Sequence, residues 1–210
     1  MKKITLLLFF LLFQISFSQT YNTNEIIQKA EFYLKEAVGE DLFSYFKFDE
    51  YSYYEYQKRN KKTKFKKIKA DKKTKDKLIN AEVRFVFMHP DLKKYNLFKT
   101  CYIELDEKLN LKKPIDLSRI PKYILKNKSS NWLKETKIDE IIQSQKLKKT
   151  NSPIYKQVIF NEKTNTFVWE VRNILFQDKI RYDFEIFYID CITGDATKPQ
   201  TLRTFVAICY

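Results

Sequence analysis

The sequence predicts an α+β protein of two tandem units, each a helix laid on an antiparallel sheet, and three observations predict it. Short phrases recur in the same order in the two halves of the chain. Apolar residues at mixed three- and four-residue spacings mark one helix in each half, and aromatic or β-branched runs follow each helix. With 210 residues, 44% hydrophobic and 16% aromatic, the chain has enough apolar surface to build a core.

The repeat is legible residue by residue. Asn24-Glu25-Ile26-Ile27-Gln28 returns as Asp139-Glu140-Ile141-Ile142-Gln143, 115 positions later. Glu82-Val83-Arg84 returns as Glu170-Val171-Arg172 at an offset of 88, and Tyr102-Ile103-Glu104 as Tyr188-Ile189-Asp190 at 86. The falling offset gives the first half about 27 extra residues between its helix and its second strand.

In chain order, Lys2 and Lys3 followed by the apolar run Ile4–Phe13 read as an export signal, with cleavage expected between Ser18 and Gln19. The run is too short to span a bilayer, and no later stretch approaches the ~20 apolar residues a spanning helix needs. The expected location is therefore periplasmic or secreted, with no transmembrane segment in the mature chain. Loss of the two signal lysines lowers the net charge from +14 to +12. Lysine dominates that charge, as an AT-rich coding sequence would also produce.

Residues 19–112 form the first predicted unit. Its helix runs over Asn24–Gly39, with Asn24 as N-cap, Gly39 as stop and an apolar stripe that includes Ile26, Ala30, Phe32 and Leu34. Strand-forming runs follow at Leu42–Tyr56, Ala81–Met88 and Phe98–Leu105. In the last, Cys101, Ile103 and Leu105 share one face. Residues 113–136, with Pro114, Pro121 and Trp132, read as a linker or packing segment. The second unit, 137–210, has its helix at Lys137–Leu147, capped near Asp139. Strands follow at Ile154–Phe160, Thr166–Phe176, Arg181–Asp190 and Leu202–Tyr210, with a turn at Asn161–Asn165.

The second half closes with Phe167-Val168-Trp169-Glu170-Val171 and then Ile189-Asp190-Cys191-Ile192-Thr193-Gly194. This resembles PepSY-type (cystatin-like) modules, which pair an amphipathic helix with a strand reading roughly W-x-V and a strand ending V-D-x-x-T-G. In the turn, Asp190 is expected to cap and Gly194 to supply positive φ. The first half echoes the pattern without a glycine, leaving Asn110 as the expected left-handed residue. The resemblance implies a small extracytoplasmic module, some of whose relatives are linked to protease propeptides and inhibition. It carries no catalytic residues.

Composition narrows the chemistry. Two glycines leave no phosphate-binding loop or nucleophile elbow, and a single histidine leaves no multi-histidine zinc site. No enzyme activity and no cofactor or metal are expected. The basic stretch 58–77 (extension about 58–80) holds twelve cations against Asp71 and Asp76, a net +10. Lys61, Lys62, Lys64, Lys66, Lys67 and Lys69 are its candidate contacts for an acidic polymer or protein outside the cytoplasm. Lysine in place of arginine, with little stacking surface, speaks against specific nucleic-acid reading. The plain alternative is a solvated, mobile loop. His89 reads as a turn residue. The tyrosines at 51, 53, 54 and 56 suit either a ligand patch or sheet packing. Of the cysteines 101, 191 and 209, hairpin geometry separates Cys191 from Cys209 by about 25 Å, leaving a Cys101–Cys209 bond or none. The acids Glu170, Asp183, Glu185 and Asp190 are expected on a solvent face. The leading reading is a non-enzymatic binding or inhibitory module. Its alternatives are a small secreted hydrolase using those carboxylates and a protein that assembles through sheet edges.

Overall fold

A computed structural model describes residues 20–205, so the signal, its cleavage point, Cys209 and the last five residues of the final predicted strand lie outside the described residues. The chain is α+β with two antiparallel sheets and divides into two units. Of the described residues, 20–88 with 98–117 form the first, and 89–97 with 118–205 the second. The division differs from the sequence-based one: the break falls between Leu117 and Ser118, and the 89–97 excursion goes with the second unit.

In the first unit, α1 spans Thr23–Val38. Its N-cap is Asn22, whose side chain accepts from the Asn24 N–H at 2.9 Å. Asn24, the expected cap, instead exchanges hydrogen bonds with Asp71 at 2.5 and 3.0 Å. Gly39 ends the helix at φ +82°, its N–H bonding Lys35 O at 2.7 Å. Ile26, Ala30 and Leu34 form the buried stripe, narrower than expected because Phe32 is half exposed. The run 42–56 is not one strand but three pieces: α2 (Glu40–Phe43), β1 (Phe46–Phe48) and β2 (Tyr53–Gln57). β3 (Thr63–Lys67) makes a hairpin with β2. The long β4 (Lys77–Phe87) pairs with β1 and β2 on one side and with β5 (Lys99–Asp106) on the other. Cys101, Ile103 and Leu105 all face inward, joined by Ala81, Val83, Phe85 and Phe87 from β4. α1 packs on β4 and β5.

The second unit begins with α3 (Pro90–Lys93), where His89 is the N-cap and its Nδ1 accepts from the Asp91 N–H at 3.3 Å. α4 is the short turn Lys122–Leu125. α5 covers Glu135–Ser144, two residues earlier at its start and three earlier at its end than expected. Asp139 does not cap it; its carboxylate holds Lys156 Nζ at 2.5 Å. β6 (Tyr155–Asn161), β7 (Thr166–Gln177), β8 (Arg181–Asp190) and β9 (Gln200–Phe205) form a simple meander. Ile138 and Ile142 of α5 pack on Val158, Trp169, Val171, Phe187 and Ile189, with Tyr95 and Leu97 at the border of this core. Burying each such side chain contributes about 1.5–3 kcal/mol.

Candidate functional site

The basic stretch is an ordered element. Its first part is the β2–β3 hairpin, closed by Lys58–Lys62 backbone bonds with Lys61 at φ +61°. Its second part is tied to the start of α1: the Thr23 hydroxyl donates to Lys69 O at 2.6 Å, and the Thr74 N–H to Tyr21 O at 2.8 Å. Ile68 and Thr74 are buried there. The stretch 58–77 is thus a hairpin strand and a tethered segment whose lysines are mostly exposed to solvent. Lys61, Lys62, Lys64, Lys67 and Lys69 are exposed and Lys66 half-buried. Among the described residues none of the twelve cations forms an ion pair, and Lys67 lies 4.5 Å from the exposed Tyr51 ring. Register sends Lys64 and Lys66 to the face of Tyr56 and Tyr54, and Phe65 and Lys67 to that of Glu55 and Tyr53. Tyr54 and Tyr56 are buried packing residues, so the tyrosine run is not a continuous patch.

The second unit holds a cleft of about 710 Å³ that the sequence did not disclose. The 89–97 excursion brings Tyr95 to 5.4 Å from Trp132 and 5.6 Å from Trp169, both tryptophans of the chain. Lys94, Lys134 and Glu135 border the cleft, and β6 forms a wall through Tyr155, Lys156, Gln157 and Val158. Lys156 Nζ is bound by Glu135 at 2.8 Å and Asp139 at 2.5 Å. These contacts hold its pKa above the ordinary lysine value against the opposing effect of burial.

The strand acids expected on a solvent face are mostly buried. Glu170 takes Arg172 at 2.7 Å and the Gln157 amide at 2.9 Å. Asp183 is clamped between Arg181 and Arg203, and those bonds hold its carboxyl well below the usual carboxylate range. Glu185 accepts from Asn173 at 2.8 Å and the Lys148 N–H at 3.0 Å, fastening the segment after α5 to the sheet. Asp190 ends β8 and caps the turn after it, where its Oδ1 accepts the N–H groups of Ile192 and Thr193 at 2.8 and 2.9 Å and Gly194 has φ +79°. In the first unit Asp106 gathers the N–H groups of Lys108 and Asn110, both at 2.8 Å. The left-handed residue there is Leu109 at φ +62°, not Asn110. The repeated Glu-Val-Arg phrase also has matching geometry: Glu82–Arg84 spans 2.8 Å and Glu170–Arg172 2.7 Å, each on a strand paired along both edges.

A recess of about 130 Å³ on the first sheet gathers Glu55, Glu82 and Glu104. Each is engaged: Glu55 by Asn80 at 3.1 Å, Glu82 by Arg84, and Glu104 by Lys113 at 2.8 Å. Cys101 and Cys191 are buried and form no disulfide among the described residues, and burial pushes their thiols up to about 11 and about 12. The Cys101–Cys209 alternative falls outside the described residues. Among the described residues no cluster of acids, histidine and cysteines is arranged to hold a metal ion, and no helix is long and apolar enough to cross a membrane. No family model matches the chain, and neither the curated proteins nor the solved structures searched give a match.

Proposed function

We propose that this chain is an exported, non-enzymatic binding module of two related, PepSY-like helix-on-sheet units, and that its basic hairpin engages an acidic polymer or acidic protein. The observation that carries this reading is the lysine array itself. Lys61, Lys62, Lys64, Lys66, Lys67 and Lys69 sit on or beside an ordered edge strand, and no carboxylate among the described residues neutralises them. A cluster of uncompensated ammonium groups on both faces of one strand raises the local concentration of polyanions and releases their counterions on contact. The two-unit reading draws support from the paired Glu-Val-Arg strands and the paired aspartate turns. The hydrolase alternative loses ground because Glu170, Asp183 and Glu185 spend their oxygens on Arg172, Arg181, Arg203, Asn173 and Lys148.

The test is titration of the mature chain with polyglutamate and with a sulfated polysaccharide between about 50 and 200 mM salt. The dissociation constant is expected to rise linearly with salt on a log–log plot, over about 10³-fold if six contacts are made. Replacing the six lysines by glutamine should flatten that slope and weaken binding at least tenfold. Binding that ignores salt, or survives the replacement, dismisses the hairpin role.

A further inference from the structure

We propose that the outer edge of β6 accepts an extended acidic peptide segment as an added strand, seated in the cleft beside Tyr95, Trp132 and Trp169. β6 is a terminal strand of its sheet, paired with β7 alone. Among the described residues, no backbone hydrogen bond crosses its other side. Its outward N–H and C=O groups therefore await partners of their own kind.

Two other sheet edges carry devices against such pairing, and β9, which is as open as β6, borders no comparable cleft among the described residues. β3 presents Lys64, Lys66 and Lys67. The edge of β5 is occupied by the chain that follows it, through a Leu105–Leu111 bridge and the Lys112 N–H to Glu104 O bond at 2.9 Å. β6 has a single charged residue, Lys156, and that charge is drawn inward onto Glu135 and Asp139. The edge is thus left open where lysine guards another.

The cleft identifies the occupant. Tyr155 and Gln157 point to one face of β6, and Lys156 and Val158 to the other, yet all four border the cleft. A groove touching both faces of a terminal strand runs along its edge, which suits an extended backbone. Glu135 is spent on Lys156, whereas the exposed Lys94 and Lys134 have no ion-pair partner among the described residues. The groove therefore favours acidic side chains, alternating with apolar or aromatic ones that reach the Tyr95–Trp132–Trp169 wall. A second copy of this chain is the poorer occupant, because the net charge of +12 expected for the mature chain opposes self-association.

The test uses the full mature chain with its six hairpin lysines replaced by glutamine, so that attraction to the hairpin does not enter. A randomised ten-residue peptide library is panned on it. Enriched peptides are expected to alternate acidic with apolar or aromatic residues, to shift the tryptophan emission, and to slow amide exchange over Tyr155–Asn161. Lys134→Glu should weaken them at least tenfold, and Lys134→Arg should not. No enrichment, enrichment blind to peptide charge, protection falling outside β6, or a concentration-dependent dimer occupying β6 would each overturn the proposal.

Discussion

Gly194 has two independent reasons to lack a side chain. Its φ of +79° is a region that costs other residues about 1–2 kcal/mol. A Cβ there would also lie 3.0 Å from Leu133 and 3.1 Å from Ile141, both beside the core. Gly194→Ala is therefore expected to lower stability by about 1–3 kcal/mol, read as a drop in the urea midpoint at unchanged slope. Asp183 sets a different dependence. Arg181 and Arg203 depress its carboxyl in the folded state, so its contribution is present above the ordinary carboxylate range near pH ~4 and drains away as pH falls. Asp183→Asn should be less stable than wild type at neutral pH, and the gap in melting temperature should close as the pH is lowered toward about 2. A constant gap would assign the effect to lost packing instead.

At the scale of elements, the hairpin variant with six glutamines should keep its melting temperature within a few degrees. The buried residues of that region, Tyr54, Tyr56, Ile68 and Leu78, are all untouched, and exposed charges contribute little. A collapse of the far-UV signal would mean that the lysine stems are packed, not merely charged. What the sequence made legible at this scale followed burial on one face. The alternation Cys101–Ile103–Leu105 can be read because each inward residue is apolar, and β8 keeps its expected bounds, Arg181–Asp190, because a turn residue closes each end. What was illegible depended on distant partners. Asn24 reads as the cap of α1 from the sequence, but Asn22 caps it, and Asn24 instead binds Asp71, 47 residues away and beyond the reach of local pattern. Asp183 and Glu185 look like solvent-facing acids because Arg203 on the next strand, Asn173 on the previous one and Lys148 after α5 cannot be placed beside them by local pattern. The aromatic cleft was hidden for the same reason, since Tyr95, Trp132 and Trp169 come from three separate segments.

At the scale of the whole molecule, the two units are interleaved along the chain, because 89–97 leaves β4, joins the second unit, and returns to β5. A fragment beginning at Ser118 would retain β6–β9 and α5 and lose Tyr95 and Leu97 from the border of their core. Full burial of a side chain is worth about 1.5–3 kcal/mol and both residues are half-buried, so the loss together is on the order of one such side chain, which is felt in one small unit. The fragment should unfold at lower denaturant than the second unit in the intact chain, with red-shifted tryptophan emission, and a peptide of residues 89–97 added in trans should partly reverse the shift. A fragment as resistant as the whole would show that the excursion adds nothing to that core.

The same excursion imposes an order of events on a nascent polypeptide. β4 and β5 can zip together as soon as both have left the ribosome, since the link between them is short. Tyr95 and Leu97 on that link must then wait, sticky and unshielded, while some seventy further residues are synthesised before the strand bearing Trp169 arrives. Such delayed, long-separation contacts slow maturation and invite capture by holdase chaperones.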